Sequence, residues 1–228
     1  MFTEQYKRPS DLPRRIPVFP LRNVLLLPRA TLPLNIFEPR YLAMIDEVLA
    51  GHRLLGMIQP ADKTSNEESP KNNHADVRTI GCVGRLTAFQ ELDDNRLLIT
   101  LTGVSRFKVV AEPDASAPYR SFEVDYAEFA HDLEPGHGED HVNRDALQTV
   151  LKSYLETNKL SADWRAIENA PTELLVNVLS VISPFAAEEK QALLEAPDLK
   201  SRADALIALT RMELAGDGSG SGGGGRMQ

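Results

Sequence analysis

Residues 34–51 read LNIFEPRYLAMIDEVLAG. Two periods meet in this stretch. Leu34, Ile36 and Phe37 read as the end of a buried strand. Tyr41, Leu42, Ile45 and Leu49 read as the buried stripe of a helix, with Leu42, Ile45 and Leu49 at i, i+3 and i+7. Pro39 suits the first helical position, where its missing N–H would be unpaired in any case. Gly51 suits the position just past the helix, where positive φ is wanted. A helix is therefore predicted over residues 39–50. Between the two periods sit Glu38, Pro39 and Arg40, either a working acid–base site or the device that turns a strand into a helix. A working site needs a nucleophile, metal or pocket partner, and the sequence offers none. The structural reading accounts for each residue. Glu38 places an anion at the helix N-terminus, Pro39 starts the helix, and the planar fork of Arg40 reaches a carboxylate or strand-end carbonyls.

On the N-terminal side, residues 1–15 are polar and contain proline, which predicts a flexible arm. IPVFPL, VLLLP and TLPLNIF are short apolar runs bounded by proline and read as strands at edges or bends. Beyond the helix, LLGMIQ (54–59) reads as a buried strand. Residues 61–78 have no periodicity and predict an exposed, mobile loop. TIGCVGRLTAFQEL and RLLITLTGVSRFKVVAE flank the turn-forming Asp93-Asp94-Asn95. Gly103 breaks the alternation of the second run, as a bulge or bend would. In YRSFEVDYAEF (119–129), Phe122, Val124 and Tyr126 share a face. After HDLEPGHGED (131–140) the period becomes helical. Ala146, Leu147, Val150, Leu151, Tyr154 and Leu155 form one stripe. A short helix follows with Ser161 as N-cap. Next comes a helix begun by Pro171 that stacks Leu174, Leu175, Val178, Leu179 and Ile182 and is ended by Pro184. Asp198 caps the last helix. Residues 139–214 are thus helical, and the Gly/Ser tail 215–228 is expected to be disordered. Strands followed by helices are the α+β pattern.

The chain has 228 residues, 42% of them apolar, and a formal net charge of −8. Residues 1–58 hold eight Lys/Arg and five acids, or +3, so the remainder carries −11. An acidic body argues against a phosphate-binding track. The single cysteine, Cys82, allows no intramolecular disulfide and fits a reducing cytosol. It lies in an apolar alternating strand, where cysteine behaves as a small hydrophobe. The opening residues have no apolar signal-peptide core, and no run is long enough to span a membrane. His137 and His141 are four apart, but Pro135, Gly136 and Gly138 make this a loop with incidental histidines rather than a metal site. No nucleophile elbow, phosphate loop or dinucleotide fingerprint occurs. No cofactor, metal or catalytic residue is predicted. Trp164, beside Ile167, reads as packing within the helical half.

Several stretches together resemble one family. IPVFPLRNVLLLPRATLPLNIFEPRYLAMI (16–45) is similar to the opening of the substrate-binding domain of Lon proteases, including Pro20, Phe37, Glu38, Pro39, Arg40 and Tyr41. IGCVGRLTAFQELDDNRLLITLTGVSRFKVV (80–110) is similar to its central signature, with Gly81, Gly103, Arg106 and Phe107. LLVNVLSVISPFAAEEKQALLEAPDLKSRADALIAL (174–209) is similar to its helical end, with Glu189 and Lys190. These twelve residues are expected to be fold-determining. The resemblance implies a PUA-like β-barrel of about six strands over 16–130, with a helical bundle after it. It also implies a stand-alone protein of the kind found in bacteria, without the ATPase and Ser–Lys peptidase modules of a full protease.

The function implied is non-catalytic recognition of polypeptide in the cytoplasm. The partner would be an unfolded chain, a Lon protease or one of its substrates. Polypeptide recognition needs desolvated apolar anchors, and the barrel edges at 16–34 and the loop 61–78 are the candidate surfaces. RNA binding, through Arg8, Arg14, Arg15, Arg22 and Arg29, is the alternative that a PUA-like fold suggests. An unrecognised hydrolase is the third, and it would require a carboxylate of strongly perturbed pKa in a deep pocket.

Overall fold

The long apolar runs close on one another through a ring of hydrogen-bonded strands. The computed structural model describes residues 5–61, 75–113, 117–159 and 161–219, without the side chains of 216–219. Six strands form the sheet: β1 (Arg15–Pro20), β2 (Thr31–Ile36), β3 (Leu54–Ile58), β4 (Ile80–Leu92), β5 (Arg96–Ala111) and β6 (Arg120–Asp125). β1 pairs in parallel with β3 and antiparallel with β6, while β4 joins β3 to β5. The far end of β5 returns to β6 at Lys108–Asp125 and Val109–Val124, which closes the ring. β2 lies on the free edge of the first half of β5, from Thr31–Thr102 to Ile36–Leu97. Closure removes most of the exposed edge that such strands would otherwise present.

All five ring strands point apolar residues into one cluster, among them Ile16, Val18, Leu54, Val83, Phe107 and Phe122. The opposite faces of β1, β3 and β4 carry Phe19, Leu55, Met57 and Cys82, which pack beneath the helices. β3 is therefore buried on both sides, which explains its unbroken apolar run. The Gly81 Cα leaves space only for the Phe107 ring and the Met57 carbonyl. A Cβ on Gly103 would run into the Leu27 carbonyl, and Gly103 bridges to Pro28 there. The β4–β5 register shifts beside it, between Val83 and Gly84, so the expected irregularity is present.

Six helices follow the pattern of apolar stripes in outline: α1 (Pro39–Ala50), α2 (Arg144–Thr157), α3 (Trp164–Asn169), α4 (Thr172–Ile182), α5 (Ala187–Glu195) and α6 (Leu199–Ser219). The fold is α+β, with the last five helices C-terminal to the barrel. α1 has the predicted bounds.

Several details differ from expectation. The buried face of α1 is Tyr41, Met44, Ile45 and Val48, with Leu42 and Leu49 only half-buried. Gly51 has φ −109°, and the positive φ falls on Arg53. VLLLP is no strand: Leu25, Leu26 and Leu27 are buried in an irregular segment that Arg29 leaves at φ 64°. The expected N-terminal arm packs from Tyr6 onward. Tyr6 and Leu12 are buried, and a 3-10 turn at Pro9–Asp11 is tied by the Asp11 carboxylate accepting from the Lys7 and Arg8 amides. α3 is capped by Asp163, whose carboxylate accepts from two amides of its first turn, in place of Ser161. Asp198 caps α6 as expected, its carboxylate accepting from the Ser201 amide at 2.7 Å. α6 runs to Ser219, five residues beyond the predicted end. Most of the predicted mobile loop (62–74) and of the tail (220–228) lies outside the described residues.

Candidate functional site

α4 is where pattern and structure part. Its sequence predicts that Leu174, Leu175, Val178, Leu179 and Ile182 face inward. Instead Glu173, Val176, Asn177, Ser180 and Val181 are buried, while Ile182 is 66% exposed and the four others are only partly buried, with Leu175, Val178 and Leu179 packing against the margin of the core. Partners on the barrel side decide this. The Glu173 carboxylate accepts from the Arg29 guanidinium and from the Gly136 amide. The Asn177 amide donates to the Pro28 carbonyl at 3.0 Å, and its oxygen accepts from Arg202 at 2.9 Å. Ser180 donates to the Val176 carbonyl. Buried polar groups that are fully paired hold a helix face inward as firmly as apolar ones, because turning it out would strand their partners.

The outcome is an apolar groove among α2, α4 and α6, with a volume of about 180 Å³. Leu147, Val150, Leu151 and Leu155 line it from α2, Leu179 and Ile182 from α4, and Leu206 from α6. Tyr154, Ser183 and Thr210 supply its few polar atoms.

Of the two surfaces expected from sequence, the loop 61–78 lies largely outside the described residues, and the barrel edge at 16–34 offers few such anchors. At 16–34, Ile16, Val18, Phe19, Leu25, Leu26, Leu27 and Leu34 all point inward. The arginines of the alternative reading are not gathered either. Arg29 is committed to Glu173 and to the Asp132 carbonyl, and Arg8 lies beside Asp11. Arg14 and Arg15 line a cleft of about 830 Å³ that also holds Glu123 and Asp125, so its charge is balanced. Trp164 is half-exposed on α3, in a shallow polar depression with Asp145, Lys152 and Glu168.

The twelve family-signature residues are spread over the fold. Pro20 closes β1, and Phe37 is 63% exposed at the end of β2, because the chain turns before its side chain can reach the core. The Glu38 carboxylate accepts from Arg40 (2.8 and 3.0 Å) rather than capping α1, whose first amides are taken by the Glu38 carbonyl. Arg40 also lies over the Tyr41 ring at 4.5 Å. Arg106 is buried and donates to the Asp132 carboxylate and to the Leu194 and Ala196 carbonyls. Glu189 accepts from the Ala186 amide. Burial holds the Lys190 pKa below its ordinary value, and its ammonium donates to the Val181 carbonyl.

Burial pushes the Cys82 thiol far up, which removes the thiolate a nucleophile needs. Asp11 and Asp198 are held low by backbone amides, at Lys7 and Ser201 respectively, as turn and helix caps are. No helix among the described residues is long and apolar enough to cross a membrane.

A closed barrel joined to a helical bundle through buried arginines, with twelve signature residues placed along it, defines a class that comparison with known proteins identifies. The chain belongs to the family described as the ATP-dependent protease La (LON) substrate-binding domain, whose model matches residues 15–211. It is 29% identical over 210 residues to Lon protease 2 of Myxococcus xanthus, an alignment covering 88% of this chain and 24% of the relative. It is 27% identical over 216 residues to the Lon protease of Flavobacterium johnsoniae, covering 92% and 26%. The chain thus spans about a quarter of the length of these relatives. Among solved structures, the N-terminal domain of the Mycobacterium avium complex Lon protease matches with TM-score 0.63 and 15% identity over 86% of this chain and 98% of that one. A Lon N-terminal domain protein from Xanthomonas campestris matches with TM-score 0.58 and 22% identity over 85% and 97%. These two show the fold.

Proposed function

We propose that the chain is a non-catalytic polypeptide-binding module that takes apolar side chains of an unfolded or flexible chain into the groove among α2, α4 and α6. The observation that carries this reading is α4 itself, which buries its polar face and turns Leu179 and Ile182 toward the groove and solvent. Family membership supports the class of ligand. Apolar anchors entering a pocket, rather than extended polar contact, would supply most of the affinity. The partner pool is unfolded protein, a Lon protease or its substrates, met in the cytoplasm.

The test is fluorescence anisotropy with a labelled, reduced and alkylated unfolded protein. Leu155 and Ile182 are half-exposed and exposed, so Leu155→Glu and Ile182→Glu should leave the fold intact. Each is expected to weaken binding by roughly tenfold or more, since a charge is then forced against apolar anchors. Saturable binding that both variants leave unchanged would remove the groove from the reading. No binding at high micromolar concentration would remove the function.

A further inference from the structure

The segment joining barrel to bundle, HDLEPGHG (131–138), carries a His-x-x-Glu-x-x-His spacing that the polypeptide-binding reading does not use. Residues three apart meet on one side of a helical turn, and in 3-10 geometry side chains at i and i+3 eclipse. Here a 3-10 helix over Ala127–Leu133 ends at Glu134, which is extended, and a β-turn over 134–137 follows it. The Glu134 amide donates to the His131 carbonyl at 3.0 Å, and the His137 amide donates to the Glu134 carbonyl at 3.2 Å. Gly136, at φ 78°, is the left-handed residue of that turn, which brings His137 back beside Glu134. His131, Glu134 and His137 consequently emerge on one side.

Their atoms converge. One Glu134 carboxylate oxygen lies 3.4 Å from His131 Nδ1 and 3.1 Å from His137 Nδ1. One ligand atom from each residue falls within 4.8 Å of the others. Metal–ligand bonds of about 2.0–2.2 Å in a tetrahedral shell give edges of about 3.3–3.6 Å, close to the 3.4 and 3.1 Å between the carboxylate and the two rings. The two imidazoles are stacked at 4.1 Å. All three side chains are exposed, so the rings can tilt until both lone pairs meet one point.

The backbone beneath them is fixed. Asp132 is held by a two-pronged pair with Arg106, its carbonyl accepts from Arg29, and the Gly136 amide donates to Glu173. Such support is what separates a binding constellation from a chance surface cluster. We propose that His131, Glu134 and His137 form a binding site for one divalent transition-metal ion. Two imidazoles and a carboxylate suit Zn²⁺, with Ni²⁺ and Cu²⁺ also accepted, and disfavour Mg²⁺ and Ca²⁺, which want oxygen ligands. A water completes the shell. His141 lies in the separate 3-10 turn Glu139–His141 and is not part of this cluster.

The untagged full chain, stripped with chelator, is titrated calorimetrically with ZnCl₂ at about pH 7.5, where imidazole is neutral enough to ligate. Stoichiometric binding is expected, together with a Zn²⁺-dependent rise in melting temperature. His137→Ala and Glu134→Gln should each weaken binding roughly tenfold or more and abolish that rise. His141→Ala should bind as the parent does. The metal-free melting temperatures of all variants should match the parent, since the altered side chains are exposed. Absence of stoichiometric Zn²⁺ binding would overturn the proposal, and so would equal binding by the His137 and Glu134 variants. Cobalt(II) gives a second readout: tetrahedral d–d bands in the parent that His131→Ala removes.

Discussion

Tyr119 shows how one side chain ties α1 to the strand system. Its ring is buried, and its hydroxyl donates a hydrogen bond to the Glu47 carboxylate on α1. Burial first, and then that carboxylate, push the phenol up to about 12 from an ordinary 10.0. A folded-state pKa above the unfolded one means that the unfolded chain releases the proton first as pH rises. The stabilisation is therefore complete below about pH 10 and is lost as pH climbs toward about 12. Tyr119→Phe is expected to cost about 1 kcal/mol at pH 8, a modest value because Glu47 is exposed and screened by solvent. The deficit relative to the parent should shrink as pH rises past 10. Urea unfolding of both proteins at pH 8 and pH 11 checks this. A deficit that stays constant between the two would mean that the fold does not raise the Tyr119 pKa.

At the scale of elements, α4 sets the principal prediction. A core helix is ordinarily stabilised by a larger apolar face, so Asn177→Leu looks favourable by hydropathy alone. Here it removes the partner of the buried Arg202 guanidinium and of the Pro28 carbonyl. A cost of about 2–4 kcal/mol in chemical unfolding is expected, because the Pro28 carbonyl loses its side-chain donor and the buried Arg202 keeps only its bond to the Leu193 carbonyl. A neutral or stabilising outcome would mean that α4 is not held by its polar face. The same helix marks where sequence reading stops. The bounds of α1, the beginning of α4 at Pro171 and the cap at Asp198 are local matters of proline, spacing and a side-chain oxygen within three residues, and they were legible. Which face of α4 turns inward depends on Arg29, Pro28 and Arg202, up to 149 residues away in the chain. Periodicity carries no trace of such partners. The groove was hidden for the same reason, since its lining from α4 is the stripe that hydropathy assigns to the core. Likewise, the grouping of His131, Glu134 and His137 is not legible in the sequence, because the end of a 3-10 helix and a β-turn, rather than one helical period, bring them together.

For the whole molecule, the decisive feature is a polar seam between barrel and helices. Arg106 on β5 reaches Asp132 and the carbonyls of Leu194 and Ala196, at the end of α5. Arg29 reaches Glu173 on α4, and Gln59 bonds Gln191 on α5. Each link joins a group that cannot return to water to one on the other side, so neither half keeps its buried polar atoms satisfied alone. The two halves should therefore unfold together. Far-UV circular dichroism reports on both, while Trp164, the single tryptophan, lies in α3 and reports on the helical half. Coincident urea transitions by the two probes are expected for the parent. Arg106→Met leaves the Asp132 carboxylate buried without its cation and should cost about 3–5 kcal/mol. It should also separate the two transitions. Adding Asp132→Leu to Arg106→Met should recover part of that loss, because the orphaned charge is gone. If Arg106→Met unfolds within about 1 kcal/mol of the parent and keeps coincident transitions, the seam does not couple the halves. The apolar contacts among Leu55, Met57, Val176 and Leu193 would then be what does.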